Sequence, residues 1–543
     1  MAVPNPLQQR AATKCLLYEL MRDWKKFPEC LVCGWVCVCA RMCGSVRKIK
    51  QPSPLPVQLV PTNPVSEEVS RGKSRKRLNP VIHTEAPEPD PIREAYLYCN
   101  FPNQTEHTWE GHSLADYKLL SVQVMIRHGD RYPLYSIPQT KRPAIDCTLS
   151  PNRVPSHPLL ASFISHMALG AQGHWDTSLA SLPRIPNNRV CEMGELTQTG
   201  VVQHLKNGAI LHQAYIRQHK LLPADWSSRH VWVETTGKSR TLQSGLALLY
   251  GFLPGFAWPR LALRQQWSTL FCGAACDCPA RNRYLDQEQK RQYRQRVADT
   301  ELERTYVAMA TALGVATRTL RAANPVDALL CHVCHGLPFP CARALAPVPA
   351  QALPPERACL TRHHFAALRR QQCDDERLRL QAGLYRRYAT LAAHPYLNRT
   401  AQRMERAARG RQGGAEPAFV LASAHDVTLQ PVLSALGLEG AGFPRFAARL
   451  VFELWKSPQA GETGRGVRVR QVKGARGSVE DAFVRVLYNG EDLTFHTAFC
   501  RHHDRHSARP LCPLGNFLSF VRRGMFSIVN ATSYQQACHQ SIL

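Results

Sequence analysis

The sequence predicts an α/β fold: a mixed, mainly parallel sheet flanked by helices, with an inserted helical cap. Three features predict it. At three well-separated places an apolar run ends in a short polar corner and passes into a helical pattern, as a strand feeding a helix does. Two later apolar runs, Leu450 to Trp455 and Phe483 to Tyr488, flank a Gly- and Arg-rich loop and lead to the tight-turn pair Asn489-Gly490, which adds an antiparallel edge. From Pro254 to Gly414 the pattern is helical and Arg-rich with clustered Cys and Pro, which marks the cap.

In chain order, residues 1–95 read as a leader and a disordered, basic and Pro-rich stalk. Gln51 to Pro64 is rich in proline, and Arg71 to Arg77 holds five basic residues in seven. Such a composition buries too little apolar surface to offset the entropy of ordering. The basic run reads as a solvated tether, a glycosaminoglycan or acidic-lipid contact, or a cleavage site. The most apolar N-terminal stretch, Cys30 to Ala40, spans 11 residues, short of the roughly 20 that a spanning helix requires. It stays open between a signal-like segment, a palmitoylated patch, a Cys metal cluster and a disordered leader. Folded patterning runs over 96–543, with the cap at about 255–414.

The first corner follows Leu119 to Ile126 and reads Arg127-His128-Gly129-Asp130-Arg131. The second follows Val231 to Val233 and leads into a helix over Ser239 to Phe252, with Leu242, Leu246 and Leu249 on one face. The third follows Phe419 to Leu421 and reads Ser423-Ala424-His425-Asp426, with Leu429, Val432, Leu433 and Leu436 at helical spacing after it. Thr197 is a candidate cap for a further helix through Tyr215, with Val201, Val202, Leu205 and Leu211 inward. In α/β proteins such corners lie at the carboxyl edge of the sheet, where ligands bind.

Of the 543 residues 44% are hydrophobic and 20% charged, which supports a sizeable core and excludes a fibrous or mostly disordered chain. A net charge of +27 favours a polyanionic partner: nucleic acid, acidic membrane, sulfated polysaccharide or phosphorylated substrate. No aromatic or groove-reading motif accompanies the charge, so no nucleic-acid partner is expected. Twenty cysteines and three glycosylation sequons, at Asn103, Asn398 and Asn530, favour a luminal or extracellular domain.

The corners contribute Arg127, His128, Arg131, Arg240, His425 and Asp426. Phosphoryl transfer asks for this set: a nucleophile, cations around the equatorial oxygens and an acid for the leaving oxygen. Arginine suits phosphate because its planar fork donates bidentately and stays charged. Arg127 and Arg131 are four apart, so a helical turn after the strand would aim both at one anion, with the turn's amides adding partial positive charge.

Arg127-His128-Gly129-Asp130-Arg131-Tyr132-Pro133 resembles the Arg-His-Gly-x-Arg-x-Pro signature of the histidine acid phosphatases, and His425-Asp426 resembles that family's downstream His-Asp pair. Arg240 matches its separate arginine. Segments such as Glu94 to Asn100, Cys191 to Leu205, Thr235 to Pro254 and Phe443 to Trp455 are similar to the 2-phosphoxylose phosphatase branch, from about Ser74 to the C-terminus. The resemblance implies His128 as a nucleophile forming a phosphohistidine and Asp426 as proton donor, then base for water. It implies Arg127, Arg131, Arg240 and protonated His425 as the phosphate clamp, with no metal or other cofactor. The substrate it implies is the 2-O-phosphoxylose of the glycosaminoglycan–protein linkage oligosaccharide, in the Golgi lumen beside the glycosyltransferases of linkage synthesis. That branch carries a type II membrane anchor; none is visible in residues 1–70, and a secreted protein is the alternative.

Rival readings are a broad acid phosphatase or an inositol polyphosphate phosphatase and, in another class, a non-catalytic glycosaminoglycan-binding protein. His425-Asp426 also fits an ordinary helix start. Cys331-His332-Val333-Cys334-His335 spells a haem c attachment pattern, and Cys272, Cys276 and Cys278 a thiolate zinc cluster; disulfides are the preferred reading of both. Arg291, Arg294 and Arg296 read as a solvated helix face.

Overall fold

The computed structural model describes residues 90–102, 108–112, 117–170, 173–343, 359–410, 416–457, 479–502 and 511–540. The N-terminal cysteine cluster, the 71–77 basic run and the Asn103 sequon lie outside the described residues.

The order is α1 (Pro91–Cys99), β1 (Lys118–Arg127), β2 (His174–Trp175), α2 (Gln198–Leu211), β3 (Val231–Thr236), α3 (Ser239–Phe252) and β4 (Ala262–Gln266). Then come helices α4 (Pro279–Ala298), α5 (Thr300–Leu313), α6 (Thr317–Ala322), α7 (Pro325–Cys334), α8 (Arg362–Gln381) and α9 (Gly383–Arg409). The chain returns on β5 (Phe419–Ala424), α10 (Asp426–Ala435), β6 (Arg449–Lys456), β7 (Ala482–Tyr488), β8 (Glu491–Asp492), β9 (Cys512–Pro513) and α11 (Leu514–Arg522). Shorter helical segments connect these elements.

The sheet runs β2-β4-β3-β5-β1-β6-β7-β8, with β9 on β7. It is mixed: β2, β4, β3, β5 and β1 are parallel neighbours, and β6 onward pair antiparallel. Strand β1 sits where the two halves meet. Alternation sorts its side chains: Val122, Val124 and Ile126 pack with α2 and α3, while Met125 faces the opposite layer of α9, α10 and α11. Helices therefore cover both faces, and β5 is buried along its whole length.

The segment assigned to the cap is not a separate helical body. Ala262–Gln266 joins the sheet as β4 beside β3, and Ala389, Leu397 and Met404 of α9 belong to the core layer on the sheet. Helices α5, α7 and α8 do form a cluster of their own, with α1, Phe443 and Phe446. Cys99–Cys334 ties that cluster to α1 across 235 residues, and Cys278–Cys538 ties α4 to the C-terminus across 260. Cys272 pairs with Cys276, which removes the zinc reading. Cys334 is likewise consumed and Cys331 is buried, which removes the haem attachment reading.

Candidate active site

The three corners meet because their strands are neighbours in one parallel register. Arg127 of β1 is opposite Ala424 of β5, and Ser423 of β5 is opposite Thr235 of β3. Each chain leaves the sheet at the same carboxyl edge, so Arg127, Arg240 and His425-Asp426 converge although 298 residues separate Asp426 from His128 in sequence.

The first corner is not the expected helical turn. Residues 128–130 are irregular, and Arg131 bridges Leu196 in antiparallel fashion. The loop packs directly on α2: a Cβ on Gly129 would lie 2.5 Å from the backbone of Gly200. Hydrogen bonds hold the loop instead. His128 N–H donates to Ala424 O (3.0 Å), Gly129 N–H to Ser244 Oγ (3.1 Å) and Asp130 N–H to Gln203 Oε1 (2.8 Å). Thr197, the N-cap of α2, donates its hydroxyl to Asp130 Oδ2, where His335 Nε2 is also in contact at 2.8 Å. Burial opposes charge on His335, but the Asp130 carboxylate outweighs it and raises the imidazole pKa from its ordinary value.

His128 is 3% exposed. Its Nδ1 lies 2.9 Å from the Gly129 carbonyl, an acceptor, so Nδ1 carries the hydrogen and Nε2 presents a lone pair. Burial, then the charges of Arg240 and Arg127, hold its pKa well below the ordinary imidazole value. His128 thus presents a neutral imidazole with its Nε2 lone pair available. The His425 ring stands edge-on to it, with centroids 5.6 Å apart.

Arg127 is fully buried. It donates to Pro444 O (2.8 Å) and Tyr98 Oη (2.6 Å), pairs with Asp426 Oδ2 at 3.0 Å, and lies 4.4 Å from the Phe446 ring centre. Arg131 forks onto Asp327 of α7, at 3.2 Å to Oδ1 and 3.4 Å to Oδ2. Arg240 lies in the first turn of α3. Its Nε is buried with no hydrogen-bond partner among the described residues, and burial beside Arg131 pushes its pKa down to about 10. A buried donor of this kind suits an anion that enters from outside.

His425 caps α10, and its Nε2 lies 2.9 Å from Thr236 Oγ1 at the end of β3. Burial and the adjacent Arg240 and Arg127 hold the His425 pKa well below the ordinary value, which runs against the protonated form expected of it. Asp426 opens α10 as its first residue.

Sequence reasoning missed Asp327, Tyr98 and Thr236 as partners of the constellation. Thr236 and Tyr98 stand inside motif segments that were read, whereas Asp327 carries no local signal. Arg296 is more than a solvated charge, since it pairs with the buried Asp375 at 2.7 Å. Of the two described sequons, Asn530 is exposed after a short helix, whereas Asn398 lies within α9 with Thr400 fully buried, a poor acceptor setting.

Cations, a neutral imidazole and a carboxylate at one sheet edge match the outcome of the comparisons with known proteins. Residues 118–489 match the histidine phosphatase superfamily (branch 2), and the chain belongs to that family. Within it, the chain is similar to 2-phosphoxylose phosphatase 1 of Danio rerio, 70% identical over 490 residues that cover 90% of this chain and 95% of that one. The Xenopus tropicalis protein of that name is 52% identical over 487 residues, 90% of each chain. The Homo sapiens one is 51% identical over 484 residues, 89% of this chain and 94% of that one.

Proposed function

We propose that the chain is a phosphomonoester hydrolase that works through a phosphohistidine and removes the 2-O-phosphate from xylose in glycosaminoglycan–protein linkage oligosaccharides. The observation that carries the chemistry is the convergence of His128, Arg127, Arg131, Arg240 and His425-Asp426 at one edge of the sheet. The substrate rests on similarity to relatives named 2-phosphoxylose phosphatase 1.

In the first step His128 Nε2 attacks phosphorus in line, the N–P bond forms as the P–O bond to the sugar breaks, and protonated Asp426 gives its proton to the leaving oxygen. In the second, Asp426 takes a proton from water, whose oxygen attacks phosphorus and releases His128 with inorganic phosphate. Arg127, Arg131, Arg240 and His425 hold the phosphoryl oxygens in both steps. The arriving phosphoryl group competes with Asp426 for Arg127, so binding loosens the 3.0 Å ion pair and frees the carboxyl to turn toward the leaving oxygen.

We also propose a Golgi-lumenal setting, with secretion as the alternative; long-range disulfides such as Cys99–Cys334 suit an oxidising compartment. Among the described residues no helix is long and apolar enough to cross a membrane. The deciding experiment compares phosphate release from a linkage tetrasaccharide bearing 2-O-phosphoxylose, from phytate and from p-nitrophenyl phosphate. The proposal expects the highest kcat/KM on the tetrasaccharide. Equal rates on all three would instead favour a broad acid phosphatase, and salt-sensitive glycan binding with no phosphate release would favour the non-catalytic reading.

A further inference from the structure

A cavity of about 130 Å³ opens between α4, the α8–α9 junction and the first turn of α10. Its position is set by the catalytic corner. Val427 and Gln430, one residue and one turn beyond Asp426, form one wall, and Phe443, whose ring lies 5.7 Å from the Arg127 guanidinium carbon, forms another. The cavity therefore lies against the first turn of α10, the turn that carries Asp426, the residue that would protonate the leaving oxygen. Whatever leaves with that oxygen needs room there.

The size and lining select a chemistry. Drug-sized ligands occupy roughly 300–1,000 Å³, so this volume suits one small ring and not a chain of them. Gln289, Gln292 and Gln430 bring carboxamides to the lining, and Tyr385 and Tyr388 bring aromatic rings. Gln292 and Gln430 are themselves held, by Glu288 and Glu376 respectively, which fixes their orientation. Among the lining residues Arg379 is the one cation, lying 3.6 Å from Glu376 and 4.9 Å from the Tyr385 ring centre. One engaged guanidinium is too little positive charge for a ring carrying several phosphates, whose desolvation would go uncompensated.

We propose that this cavity receives the leaving sugar, an uncharged polyhydroxylated ring, and that Gln289 and its carboxamide neighbours set the preference for it over polyphosphorylated rings. The inference rests on the phosphomonoesterase reading of the His128–Asp426 site. Gln289 is half-exposed and makes no hydrogen bond recorded among the described residues, so it can be changed without disturbing the fold.

The test uses the full chain and three substrates: a 2-O-phosphoxyloside, phenyl phosphate and inositol hexakisphosphate. Phenyl phosphate fills space but offers no sugar hydroxyls. Gln289→Ala should lower the ratio of kcat/KM for the phosphoxyloside to that for phenyl phosphate by about five- to tenfold, the worth of one or two hydrogen bonds. Gln289→Arg should raise relative turnover of inositol hexakisphosphate. Lys290→Ala, on the outer face of the same helix, should leave the ratio unmoved. A ratio unchanged in both Gln289 variants, while wild type hydrolyses phenyl phosphate, would overturn the sugar pocket and leave the phosphatase reading standing. No phosphate release from any substrate would overturn both.

Discussion

Replacing Asp327 tests whether the helical layer over the sheet positions the phosphate clamp. The Asp327 carboxylate accepts from both terminal nitrogens of Arg131, at 3.2 and 3.4 Å, and from Leu134 N–H at 2.6 Å. Arg131 and Asp327 side chains are each 2% exposed. Asp327→Ala leaves a buried guanidinium without its counter-ion, a situation that costs about 3–5 kcal/mol. Asp327→Asn keeps the acceptor for Leu134 and one for Arg131, so its cost is about 1–3 kcal/mol. A guanidinium released from its fork also loses its aim, and a charge-assisted contact worth about 1.5–3 kcal/mol in the bound complex translates into a 10- to 100-fold weaker inhibition by inorganic phosphate. Urea denaturation reads the first effect, and competitive inhibition by phosphate reads the second. An Asp327→Ala protein as stable as wild type, or one that binds phosphate as tightly or more tightly, would refute the reasoning.

Other perturbations separate the remaining roles. Asp426→Asn should cut turnover of a sugar phosphate by about 10²–10⁴ and of p-nitrophenyl phosphate by much less, because nitrophenolate leaves without a proton; steady-state rates on both substrates check this. Since the His128 pKa is held below 6.5, the imidazole stays unprotonated as pH falls through that value, and kcat/KM should show no loss from it between pH 7 and 6; a pH–rate profile reads this. The same depression has the opposite consequence for stability. Below pH 6.5 the unfolded chain takes up protons that buried His128, His425 and His204 refuse, so denaturation midpoints should fall with pH there. Gly129→Ala places a methyl 2.5 Å from Gly200, so the loop must shift; activity and thermal stability should both drop, with an overpacking cost of about 1–3 kcal/mol.

The parts of the fold that could be read in the sequence were those whose signal is local. β1, β3 and β5 are apolar runs that stop at polar corners, and the candidate site residues sit in those corners, so both strands and candidate site were visible together. β4 was not, because its Arg264 and Gln265 hide the alternation; Arg264 lies over Trp232 at 3.7 Å, an aromatic cover that spacing alone does not reveal. The irregular course after Arg127 depends on Gly129 meeting Gly200, a contact between distant segments. Asp327 is 196 residues from Arg131, and nothing in its own neighbourhood marks it as a partner. The charge state of His425 could not be read either, since it follows from burial beside three arginines brought in from two other corners.

Rapid acid-free quenching of turnover with ³²P-labelled substrate, followed by peptide mapping, tests the central claim most directly. Label should appear on His128 as an acid-labile, base-stable adduct, and His128→Ala should show neither label nor turnover. Turnover at the wild-type rate in His128→Ala, or label mapped to another residue, would contradict it.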